Sequence, residues 1–334
     1  MSAIPTAAGL AAGAAPVASK VRAYFAPVNR TTGQPTIFDA AQSGRFQLET
    51  PPAPWLDLGW CTNFARKAGT VVTALRTGAP PIVQSQVRTE VEATVHLEFR
   101  TWGKLQLALA SGSQQMNLLV ESAGAKLNGS GGAGAGAVAL VTAGGASTAT
   151  MLNVGTTAAA GFSPGDLVAV DVNYGGQAGF VGSGASGAWV RAAADVGGDS
   201  NFVRRVTLNV GRVISVAGGL LQLGGALLAG APASGMQVSR IGGFVDREGG
   251  SFFQEWSGLF CIDGEQGDRV LYHYPRLQAM QASSEVAELL AGRLERWRLG
   301  AGFRALPTKD LNDGETVLCY RSYLPGPMRA VRNG

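Results

Sequence analysis

The chain has 334 residues, of which 46% are apolar, 15% are charged and 48 are glycine, with a formal net charge of +4. That length allows two domains and a sizeable core, and the low charge with abundant glycine suits a protein that buries much of its surface against copies of itself. No segment concentrates positive charge, which argues against dedicated phosphate binding, and the widely spaced Cys61, Cys261 and Cys319 form neither a disulfide framework nor a zinc pattern.

Residues 1–19 carry no side-chain charge and read as an N-terminal arm without the basic start of a signal peptide. No uninterrupted apolar run reaches about 18 residues, so no membrane span is expected. The most informative segment is Gln86 to Arg100. Val87, Thr89, Val91, Ala93, Val95, Leu97 and Phe99 share one face. Arg88, Glu90, Glu92, Thr94, His96, Glu98 and Arg100 share the other. Such alternation predicts a strand about 45 Å long, with one apolar and one wet side. The period then changes. Trp102, Leu105 and Leu109 predict a short helix over 101–111, capped by Thr101 and stopped by Gly112.

Gly and Ala dominate 129–149, so 123–160 reads as a linker. Short strands over 167–172, 205–216 and 220–228, punctuated by Pro164-Gly165 and Gly218-Gly219, predict a small inserted β domain over 161–240. Further strands are expected over 251–262 and 270–274, the second ended by Pro275. Ser283 to Gly292 reads as a short helix between a serine cap and a glycine stop. From Arg293 to Leu306 the alternation returns. Trp297, Leu299, Ala301, Phe303 and Ala305 lie on one face, and Arg296, Arg298 and Arg304 on the other. Residues 316–324 read as a last strand. Segments 20–122 and 241–334 then build one discontinuous domain, and the fold class is mainly β, a sandwich or barrel with a short flanking helix.

Catalytic signals are weak. Glu90 and Glu92 sit about 6.6 Å apart along a strand, a spacing open to glycoside hydrolysis. The five further polar positions on that face favour a solvated surface. His96 and His273 are the only histidines, and no Gly-x-Ser-x-Gly elbow, Walker A sequence or His-Glu-x-x-His is present. Gly182 to Gly187 matches a dinucleotide pattern by glycine content alone. Arg296, Arg298 and Arg304 are expected to pair with Glu90, Glu92 and Glu98. No catalytic residue, cofactor or metal ligand is assigned.

Trp55-Leu56-Asp57-Leu58-Gly59 with Asn63-Phe64, then Gly78-Ala79-Pro80-Pro81 running into the long strand, then Trp102 to Leu105 and Leu107 to Asn117, resemble the tail tube proteins of tailed bacteriophages. The resemblance is carried mostly by residues 50–120. It implies a non-enzymatic virion protein. Homo-hexameric rings, each subunit giving about four strands to an inner barrel, stack into a hollow tube that conducts double-stranded DNA. It implies tape measure, tail terminator and tail tip proteins as partners, and assembly in the host cytoplasm. The wet face, Arg88, Glu90, Glu92, Thr94, His96, Glu98, Arg100, Arg296, Arg298 and Arg304, would line the lumen, and the insertion would lie outside a non-contractile tube. The inner tube of a contractile tail and a carbohydrate-active enzyme using Glu90 and Glu92 stand as alternatives.

Overall fold

A computed structural model describes residues 18–28, 34–112, 114–120, 137–142, 144–172, 185–186, 209–228, 230–247, 255–264, 267–280, 284–291 and 294–324. Most of the predicted arm, residues 129–136 of the Gly/Ala-rich stretch and most of the glycine motif at 182–187 lie outside them. The fold is mainly β, and its strand pairings are antiparallel. The chain divides into two units. The first takes β1 (Ala18–Pro27), the stretch Thr36–Trp102 and the part from Glu255 onward. The second takes Gly103–Gln254.

In the first unit β2 (Leu56–Thr77) and β3 (Ile82–Phe99) form a hairpin 22 and 18 residues long. Its base is buried and its outer half is exposed on both strands. Alternation in β3 places Ala93, Val95, Leu97 and Phe99 in the core, each at most 2% exposed. Val87 and Val91, read as continuing that buried face, are instead exposed, because the outer hairpin extends past the neighbouring strands.

The second unit begins with α1 (Lys104–Ser111) and β4 (Gln114–Leu119). The helix starts later than predicted. Gly103 is its N-cap, and its N–H donates to the Gln106 side chain at 3.0 Å, so Thr101 caps nothing. Gly112 ends it in the left-handed conformation, at φ 62°. There follow β5 (Val138–Ala139), β6 (Met151–Asn153), α2 (Thr156–Ala159), β7 (Leu167–Val172), β8 (Ala185–Ser186), β9 (Val210–Ala217), β10 (Leu220–Leu223) and β11 (Met236–Arg247). The strand order is β6-β10-β9-β7-β11-β4-β8, with β5 also beside β11. Leu152, Val168, Val170, Val213, Leu221 and Val238 form its core. Gly218 and Gly219, at φ 58° and 88°, make the turn between β9 and β10. The stretch 137–160, read as linker, therefore carries paired strands and a helical turn. The second unit also takes α1, β4 and the part of β11 from residue 241 onward, which the sequence grouped with the first.

The chain then returns to the first unit with β12 (Glu255–Gly264), β13 (Arg269–Ala279), β14 (Ser284–Ala291), β15 (Leu294–Ala305), β16 (Thr308–Lys309), β17 (Thr316–Val317) and β18 (Tyr320–Leu324). The order is β14-β15-β3-β2-β1-β12-β13-β18, and β13 also pairs with β15. That extra pairing closes six strands into a small barrel, leaving β14 and β18 outside the closure. Phe25 packs inside against Phe303 and Phe260 at 5.1 and 5.9 Å. Each such fully buried ring contributes roughly 1.5–3 kcal/mol.

Three sequence expectations fail here. Ser284–Ala291 is a strand, not a helix, because its pairing with β15 outweighs the local helix preference of Ala, Glu and Leu. Pro275 does not end its strand. It lies where the β12–β13 register shifts between Trp256 and Gly258 and where β13 changes its other partner from β18 to β15, so no ladder bond needs its missing N–H. The predicted strand over 316–324 is likewise split into β17 and β18.

A strap over residues 36–48 covers one side of the barrel. Its short helical turn (Ala40–Arg45) is started by Asp39, whose carboxylate accepts the Ala41 N–H at 2.9 Å. Phe38, Phe46 and Leu48 pack on Tyr24, Trp55, Leu259 and Leu271. The neutral His273 ring points one nitrogen at the Gly258 carbonyl and takes the Phe38 N–H on the other. Arg22 ties β1 to β2 and to the end of the strap, through Asp57 at 3.1 Å and Glu49 at 3.0 Å.

Candidate assembly surface

The opposite side of the barrel, over β3 and β15, bears the charged face of the long strand. Glu98 faces Gly300 and His96 faces Gly302, so two positions on β15 raise no side chain there. Long side chains lie across that gap. Arg298 binds Glu98 with two nitrogens, one at 3.0 Å, and reaches Glu288 of β14 at 3.4 Å. Arg304 meets Glu92 at 3.0 Å. Both Arg–Glu contacts between β15 and β3 are diagonal. Arg298 holds the Glu98 carboxyl below its usual range, and Glu98 raises the guanidinium in return.

The structure therefore brings together Glu92, Thr94, His96, Glu98, Arg298 and Arg304. Arg296 follows on the same side of β15, opposite Glu288. Glu90 also shares that face, exposed on the outer hairpin opposite Val71. Arg88 does not share it. An extra residue at Thr89, whose hydroxyl donates to the Val71 carbonyl at 3.3 Å, shifts the register, and Arg88 pairs with Val72 on the other side. Arg100 lies past the end of the strand, where its N–H bonds the Trp60 carbonyl at 3.2 Å. His273 is buried beneath the strap and far from this surface in register, so the two histidines do not meet.

The outer hairpin is the part the sequence concealed. Val71, Val72, Leu75, Ile82, Val87 and Val91 are 47–67% exposed on its two faces. Among the described residues, the outer part of β2 beyond the base has only β3 beside it, and that of β3 only β2. The bulges at Asn63, Thr89 and Gln84 break the alternation, so no simple period announces which valines lie on which side. The signal was present in another form: Gly78 to Pro81 is a turn flanked on both sides by β-branched residues. At the other end of the same sheet β14 and β15 form a second hairpin, with Val286, Leu289 and Trp297 exposed.

Among the described residues no cluster of His, Cys, Asp and Glu is arranged to hold a metal ion, and no helix is long and apolar enough to cross a membrane. A scan against protein-family models and a search of the curated proteins each returned no match.

Proposed function

We propose that this protein is a structural subunit that joins copies of itself into rings and stacks them into a hollow tube, as tail tube proteins of tailed bacteriophages do, for the passage of DNA. The observation that carries the reading is the four-strand run β14-β15-β3-β2. Among the described residues its charged face is uncovered and its two hairpins expose apolar side chains at opposite ends. Exposed apolar ribbons and unpaired strand edges are liabilities in a free monomer and assets in a polymer.

The chemistry of the face suits a lumen. Two of its arginines, Arg298 and Arg304, are engaged by Glu98, Glu288 and Glu92, which lowers the free positive charge left to hold a phosphate backbone. Glu90 adds unpaired negative charge beyond them. With both signs interspersed, such a wall offers a duplex no continuous positive track. The glycoside-hydrolase alternative finds less support, since Glu92 is taken up by Arg304 and both glutamates stand on the exposed ribbon. The reading extends to tape measure, terminator and tip proteins as partners at the tube's ends and interior.

Negative-stain electron microscopy of the concentrated protein at neutral pH tests this. Hollow tubes or rings are expected. A monodisperse monomer at every concentration and ionic strength would overturn the proposal.

A further inference from the structure

The barrel closes between β13 and β15, which leaves β18 attached to β13 beyond the closure. Among the described residues the far edge of β18 is unpaired. Alternation sorts its side chains. Tyr320 and Leu324 turn to the strap side, where Tyr320 stacks on His273 and Leu324 packs on the strap cluster. Arg321 and Tyr323 turn the other way, opposite Tyr272 and Val270, and both are exposed.

On that second side the sheet meets the base of the long hairpin. Phe64 packs on Phe260 and Tyr272, with ring centroids 5.2 and 6.1 Å apart. The Arg66 guanidinium lies over the Tyr272 ring, 4.9 Å from its centroid, and its Nε donates to the Tyr274 hydroxyl at 3.0 Å. Both partners are neutral. Arg22, Arg269, Arg276 and Arg298, the other described arginines of this unit that are at least partly buried, each hold a carboxylate. Among the described residues neither Arg66 nor Arg321 has one. A partly desolvated guanidinium without an acid is an unmet demand for an anion.

We propose that the β18 edge and the Arg66–Tyr272 shelf form a binding site for an extended acidic peptide of a partner protein. The peptide adds to β18 as a further strand and sets a carboxylate between Arg66 and Arg321. The proposal goes beyond the self-assembly reading and does not depend on it.

In such strand addition the main chain supplies affinity and alternate side chains supply specificity. The peptide residue opposite Arg321 shares its side of the sheet, so an acid there meets Arg321 directly. It starts about 10 Å, two strand spacings, from the Tyr272 backbone. Glutamate and the Arg66 side chain bridge that span together. The residue two places on points to the same side, and the one between turns to the strap side beside Tyr320 and Leu324. The favoured pattern is therefore acid, apolar, acid. The chain's own ends do not supply it, since residues 1–17 and 325–334 contain no Asp or Glu.

Fluorescence anisotropy on the full-length chain tests this, with a short labelled peptide of alternating valine and glutamate beside peptides carrying glutamine or lysine instead. The glutamate peptide is expected to bind more tightly than either by a factor on the order of ten. Arg321→Glu, at an exposed position, is expected to remove that preference with the thermal midpoint unmoved. Arg66→Met is expected to weaken the glutamate peptide by about tenfold, and Arg66→Lys, which keeps the charge, by less. Equal affinity for the three peptides, or none for any, would overturn the proposal. Displacement of the peptide by a short thymidine oligonucleotide would overturn it in favour of a nucleic-acid strand, and loss of peptide binding on assembly into tubes in favour of a second copy.

Discussion

His273 accepts the backbone N–H of Phe38 on Nε2 at 3.2 Å, and this one bond fastens the strap to the barrel wall between the rings of Phe38, Trp55 and Tyr320. A protonated imidazole has no lone pair for that bond. Burial holds the group neutral down to about 4, against an ordinary 6.5. Between those values the unfolded chain binds a proton that the folded chain does not. The contribution is therefore whole above pH 6.5 and is lost as pH falls towards 4, up to about 3 kcal/mol. Urea midpoints at pH 7.5 and 4.5 are expected to fall less in His273→Gln than in the parent; equal falls would refute this role.

Arg22 is a second fastening. Its side chain is 7% exposed and serves two carboxylates, Asp57 at 25% and Glu49 at 80% exposure. Removing the cation leaves Asp57 half-buried without its charge partner. Arg22→Met is expected to cost about 3 kcal/mol, and Glu49→Gln clearly less, because water replaces Arg22 around an exposed glutamate. Equilibrium denaturation of the two variants checks the order; equal losses would show that burial of the pair is not what matters.

Across the charged face, Glu98 and Arg298 are each partly shielded, at 24% and 30% exposure. A double-mutant cycle with Glu98→Gln and Arg298→Met is expected to give a favourable coupling at pH 7. The Glu98 carboxyl is held below its ordinary 4.5. Its contribution is present above that value and disappears as pH falls through the lower folded value. A coupling that persists unchanged at pH 2.5 would contradict the ionic assignment.

The outer hairpin is expected to matter for assembly and not for folding. Replacing residues 70–91 with Asn-Gly joins Gly69 to Glu92, which already face each other. The thermal midpoint is expected to stay within a few degrees while tubes disappear from micrographs. Tubes of normal appearance from the shortened chain would remove the hairpin from the assembly reading.

Much of the first unit was legible from alternation alone. Leu97, Phe99, Leu299 and Phe303 declare a buried face because a strand repeats every two residues. Arg298 and Glu98 were legible as a pair for the same reason. The outer hairpin was not, because exposure depends on where the neighbouring strands stop, and no residue of Val71 or Val87 encodes that. Arg88 was misplaced by a single bulge at Thr89. Ser284–Ala291 misled because Ala, Glu and Leu favour a helix when alone, and only β15 supplies the reason to extend.

One topological fact bears on how the protein is made. β1 lies between β2 and β12, and residues 103–254 separate those two neighbours in the chain. At about 5–20 residues per second, synthesis of that stretch takes on the order of ten to thirty seconds. Through that interval the nascent chain holds β1, β2 and β3 with no β12 to complete the wall. The edge strand β14 emerges later still. Closure of the barrel is thus postponed until the second unit has been made.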